Sequence, residues 1–144
     1  LDIMKWVMHQ SSSDWDNTNI ELQDEMIHHN DFEFKQWLDK YKYHDRHPEN
    51  TLEFYRDKCA KTLTDYENSL GENLYLLGSK IQLVDVAIFP FVRQCANVDR
   101  PWFGSTFPYV EQWVDNWIQS ELFVRVMPKF DAWKLDNDPL YISF

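Results

Sequence analysis

Glycine is almost missing from this chain, with three residues in 144. That scarcity leaves no G-x-G-x-x-G and no Walker loop to cradle a phosphate, and it starves β-hairpins of the turn residues they favour. Cysteine is as scarce. Cys59 and Cys95 lie far apart, form no C-x-x-C and build no disulfide framework. On helix faces such thiols act as small hydrophobes, so both are expected to be reduced and buried. Positive charge is short as well: 14 Lys and Arg against 24 Asp and Glu give a formal net charge of −10, with no basic run to oppose it. An acidic surface repels phosphate backbones and anionic headgroups, which sets aside nucleic-acid and peripheral-membrane functions. No apolar run reaches the roughly 20 residues of a membrane span and no signal peptide is evident, so a cytoplasmic location is the expectation.

Aromatic residues are what the chain has in excess. Seven Trp, seven Tyr and ten Phe make up 17% of it. A chain of this length is one domain that buries roughly two-thirds of its unfolded surface. Its apolar residues recur at helical rather than strand spacing, and the expected class is all-α. Met4 with Val7 or Met8 opens a first helix. Ser11 to Asn17 reads as a polar loop, and Ile20, Leu22, Met26 and Ile27 as a weak helix ending near His29 or Asn30. Asp31 is expected to cap the next helix, whose face is Phe34, Trp37, Leu38 and Tyr41. Asn50-x-x-Glu53 then marks the start of a long helix with Leu52, Tyr55, Cys59, Leu63, Tyr66 and Leu70 on one side and Gly71 as its stop. The stretch VDRPWFGSTFP reads as a loop. Pro108 suits a first helical position, and Val110, Trp113, Val114, Trp117 and Ile118 form the cleanest stripe. Ser120 caps a short last helix that Pro128 ends, and an acidic tail follows.

The chain is organised around Gly78 to Asn97, GSKIQLVDVAIFPFVRQCAN. Ten of the fourteen positions from Leu83 to Ala96 are apolar, so a helix there is hydrophobic nearly all round and belongs in the middle of a bundle. Taking Gln82 as N-cap puts Asp85 at N3, within reach of the Gln82 N–H, and sets Ile81 opposite Val86 as a hydrophobic staple. The rival box Ser79-x-x-Gln82 has only Gly78 to staple with, which favours the start at Gln82. Asp85 therefore reads as a folding residue ahead of a catalytic one, and an uncharged Gln as a weak cap that Gln82→Ser would improve. Pro90 removes one helical hydrogen bond and predicts a kink. Arg93, the one cation in the apolar run, is expected to meet a carboxylate or a cleft.

The segment GSKIQLVDVAIFPFVRQCANVDRPWF resembles the G-x-x-(S/T)-x-x-D-(I/V)-A-x-x-P pattern of the helical C-terminal domain of bacterial glutathione transferase-like proteins. The similarity extends from LDIMKW through FKQWLDKYKY to PYVEQW and LFVRVMPKF. One departure stands at the cap, where Gln82 replaces the usual Ser or Thr. The resemblance implies one domain over residues 1–144, built of five to seven helices around a central buried helix at about 82–97. It implies a thioredoxin-like, glutathione-binding domain as the missing partner upstream, with glutathione as co-substrate of the intact protein and no cofactor in this chain. It also implies that this domain supplies the wall for a small hydrophobic substrate, with Lys5, Trp6, His9 and Arg93 as pocket candidates, and that the protein is a homo-oligomer. The alternative is a stand-alone interaction module with the same fold.

No catalytic set is legible in these residues. There is no G-x-S-x-G, and the thiol-activating group of the family lies in the other domain. His28 and His29 point about 100° apart on a helix, while His44, Asp45 and His47 share a loop without zinc spacing, so no metal site is expected.

Overall fold

The computed structural model describes residues 2–10, 18–130, 132, 134 and 135; the side chain of His9 falls outside that set, as does the expected loop Ser11 to Asn17. The helices are α1 (Asp2–Gln10), α2 (Ile20–His29), α3 (Lys35–Lys42), α4 (Leu52–Glu72), α5 (Leu83–Ala96), α6 (Arg100–Thr106), α7 (Pro108–Gln119) and α8 (Glu121–Val126). No strand occurs among the described residues, only one isolated bridge between Tyr75 and Gly78. The all-α bundle with a buried central helix is the observed architecture.

In α5 the expected all-round burial is nearly complete, with Pro90 its one exposed residue. Val84, Ile88, Val92, Cys95 and Ala96 have no exposed surface. Around it pack α2, α3 and α7, with Gln23 of α2 meeting its first turn at Val84. Lys42 Nζ ties α3 to Gln94 at 2.7 Å, and Lys35 lies over the Phe91 ring. The helix runs unbroken through Pro90, where the missing N–H leaves the Val86 carbonyl without its helical donor.

Four local expectations are corrected. Asp31 caps nothing: α2 and α3 form one continuous rod joined by a π turn over Asn30–Phe34. The rod continues because Asn30 and Phe34 are buried, and a break there would pull both from the core. Counted as continuous rods, the described residues hold seven helices. The N-cap of α4 is Thr51, whose hydroxyl accepts the Phe54 N–H at 3.2 Å, not Asn50. Gly71 does not stop α4, which runs to Glu72. Its place is steric, since a Cβ there would stand 3.3 Å from the Tyr109 ring. Finally, VDRPWFGSTFP contains α6, because the Asp99 carboxylate accepts the Trp102 N–H at 3.1 Å and starts a helix at Arg100.

Candidate functional site

The sequence assigns Gln82, Asp85, Ile81 and Val86 to the start of α5, and the geometry there is specific. Gln82 is the N-cap residue, yet its side chain makes no cap bond and its Oε1 is buried without a protein partner. Asp85 takes over. Its Oδ2 accepts the Gln82 N–H and its Oδ1 the Leu76 N–H, each at 2.9 Å. Ile81 and Val86 are half-buried against the core. The Val84 N–H is answered from another helix by Gln23 Oε1 at 3.2 Å, while Gln23 Nε2 donates to the Thr18 carbonyl. Burial raises the Asp85 carboxyl from 3.8 to about 6, outweighing the backbone N–H groups of Leu76 and Gln82 and the nearby Trp113 indole, which pull the other way. The indole nitrogen itself stays outside hydrogen-bond geometry. With no exposed surface, Asp85 holds a turn in place rather than meeting a substrate.

That turn spans residues 73–78. Leu76 is buried, and the Tyr75 and Gly78 backbones pair at 2.9 and 3.3 Å. Gly78 adopts φ +142, a region that side-chain-bearing residues avoid.

Of the four pocket candidates, Lys5 and Trp6 lie on α1. Lys5 Nζ is 2.6 Å from an Asp24 carboxylate oxygen, which pins α1 to α2. Trp6 faces outward together with Ile3 and Val7, at 64%, 79% and 51% exposure. These positions follow i, i+3, i+4 spacing, so they share one face, while Met4 and Met8 on the other pack against the core. Helix α1 is thus apolar on two sides. Arg93 finds no carboxylate among the described residues; its guanidinium lies 5.0 Å from the Phe123 ring centre. Of the two expectations, a carboxylate or a cleft, the carboxylate is not met among the described residues, and a half-buried cation–π contact stands in its place. Among the described residues no hydrogen bond, ion pair or ring contact joins Arg93 to Lys5 or Trp6.

A cleft of about 400 Å³ lies between α2 and α4, with His29, Thr62 and Tyr66 on its wall. His29 Nε2 is 3.0 Å from the Thr62 hydroxyl and its Nδ1 is 3.5 Å from Glu33 Oε2. The order hydroxyl, imidazole, carboxylate matches a nucleophile relay, but Thr62 sits mid-helix, where the surrounding N–H groups are spent on α4 itself and none is free to receive an oxyanion. The arrangement joins two helices. Burial pushes the Tyr41 and Tyr66 hydroxyls up, away from ionisation. Cys95 is pushed well up by its neighbour Cys59 and by burial, the reverse of a reactive thiol. Both cysteines are free and buried.

Sequence reasoning missed Gln23 and Glu67. The Glu67 carboxylate accepts the Tyr109 and Val110 N–H groups at 3.1 and 2.9 Å and so caps α7 from α4. Neither residue carries a local signal, because its partner is tens of positions away. No helix among the described residues is long and apolar enough to cross a membrane.

Comparison with known proteins agrees with this architecture. The family model described as "Glutathione S-transferase, C-terminal domain" matches residues 35–116, from α3 into α7, which is more than half of the chain. No curated protein and no solved structure matches it. With the central helix, the Asp85-anchored turn and helices α3, α4 and α6 all within that match, the chain belongs to the family of glutathione S-transferase C-terminal domains.

Proposed function

We propose that this chain is the helical half of a glutathione transferase-like protein, in which a thioredoxin-like domain binds glutathione and carries the chemistry. The observation that supports this reading is the two-sided apolar character of α1. An exposed face of Ile3, Trp6 and Val7 on a soluble domain calls for cover, since large apolar patches mark contact sites. In this reading Trp6 and its neighbours form part of the wall for a hydrophobic acceptor substrate, and Lys5 is a rim charge held by Asp24. Arg93, whose guanidinium lies over the Phe123 ring at the α5–α8 contact, is a further candidate for that wall. Two free, buried cysteines suit a reducing compartment such as the cytoplasm.

The division of labour is tested by isothermal titration of the 144-residue chain with glutathione. No heat of binding is expected, and micromolar affinity would overturn the proposal. The coding sequence upstream of Leu1 decides between this reading and the alternative, a stand-alone interaction module that uses the same α1 face. A thioredoxin-like stretch there supports the first, and its absence supports the second.

A further inference from the structure

The cleft of about 400 Å³ between α2 and α4 has the same residue pattern on both sides. Helix α2 lines it with Leu22, Glu25 and Met26, at i, i+3 and i+4, and α4 lines it with Thr62, Asp65 and Tyr66 at the same spacing. Each helix turns one ridge toward the gap, and each ridge carries one carboxylate. The ends are fixed. At one end His29 Nε2 meets the Thr62 hydroxyl at 3.0 Å. About two turns further along α4, the Ser69 hydroxyl donates to the Leu76 carbonyl at 2.5 Å and holds the turn whose Leu76 and Leu77 close the other end.

Glu25 and Asp65 are both exposed to solvent, and neither forms an ion pair among the described residues. The cationic groups beside them are committed elsewhere, Lys5 to Asp24 and His29 Nδ1 to Glu33. The Tyr66 hydroxyl is raised by burial and then by the Asp65 charge, which puts that charge at the cleft wall. Exposed carboxylates alone need only water. Here an apolar, preformed gap separates them, lined by Leu22, Met26 and Leu77. Ligand sites combine such walls with a few accessible polar groups that set orientation and charge. A cavity of about 150 Å³ takes one benzene ring, so this cleft has room for a two-ring body. No Lys or Arg lines it, and the chain carries −10, so an anion is repelled and a cation is drawn in.

We propose that this cleft binds an amphiphilic organic cation of the primary arylalkylamine class, its ammonium group held by the Glu25 and Asp65 carboxylates while its rings pack against Leu22, Met26 and Leu77. The walls come from α2, α4 and the 73–78 turn, with none from α1. The site therefore stands or falls independently of the glutathione-linked reading.

The test is an NMR titration of the full chain, following the methionine methyl signals, with naphthylmethylamine, with naphthylmethanol, which has the same shape but no charge, and with naphthoate. The amine is expected to shift the Met26 signal saturably, at a concentration at least about threefold below that needed by the alcohol, the margin that exposed ion pairs supply. Added salt should shrink that margin. Naphthoate should bind more weakly than the alcohol, and the Met127 signal should stay still. The double substitution Glu25→Gln and Asp65→Asn, at exposed positions, should bring the amine down to the level of the alcohol. Equal binding of amine and alcohol, tighter binding of naphthoate, an amine preference that survives the double substitution, or no saturable Met26 shift with the amine would overturn the proposal. The wild-type comparison and its salt dependence decide alone if the double variant does not fold.

Discussion

Replacing Asp85 by alanine probes the fold at the buried start of its central helix. The carboxylate answers two backbone donors, Leu76 and Gln82, in a place with no exposed surface. Each buried N–H left unanswered costs about 1–3 kcal/mol, so the loss of hydrogen bonds alone is about 2–6 kcal/mol. Charge works against this. The folded carboxyl titrates near 6 and the unfolded one near 3.8, so between those values the folded protein keeps a proton that the unfolded chain has released. The stability contributed by Asp85 is therefore full below pH 3.8 and is lost as pH rises through 6, a change of about 3 kcal/mol in all. This is the reverse of the usual surface carboxylate. Asp85→Ala has no such group, so its deficit against wild type should be about 2–3 kcal/mol near pH 5 and smaller by about 1 kcal/mol or slightly more at pH 8. Comparing the two proteins at each pH cancels the titration of the other acidic residues. Urea melts followed by far-ultraviolet circular dichroism measure both differences, and Asp85→Asn, which keeps one acceptor, should fall between them at pH 5. Equal stability of wild type and Asp85→Ala at pH 5, or a deficit that grows with pH, would refute the reasoning.

Three other substitutions test separate points. Gly78→Ala should cost about 1 kcal/mol or more through backbone strain alone, since φ is +142 and a Cβ there meets nothing within 4 Å; an unchanged melting temperature would contradict it. Gln82→Ser, which a capping argument from sequence favours, should instead destabilise by about 1 kcal/mol, because Gln82 is 2% exposed and fills core volume that Ser leaves empty. A gain in denaturation midpoint would restore the capping argument. Sedimentation velocity should show concentration-dependent self-association of the chain through the Ile3, Trp6 and Val7 face, suppressed in Trp6→Glu. A wild-type protein that remains monomeric at high concentration would remove that face as a contact surface.

What the sequence determined by itself is whatever depends on neighbours within about one helical turn. The apolar run of α5, its start at Gln82 with Asp85 at N3, the stripe of α7 and the face of α4 all arise from backbone hydrogen bonds and side-chain spacing over four residues or fewer. The family pattern around Asp85 is legible for the same reason. Tertiary structure decided the rest. Gln23 reaching Val84, Glu67 capping α7 and Phe123 receiving Arg93 each require two distant segments to meet, and no local periodicity encodes the meeting. The rod through Asn30 continues past an apparent capping signal because core burial of Asn30 and Phe34 outweighs a local preference of the order of 1 kcal/mol. On α1, Met4 and Met8 compete with Ile3, Trp6 and Val7 for the interior, and a helix apolar on both sides gives no hint of which side wins. Packing against the bundle makes that choice, and in making it leaves Trp6 in the open.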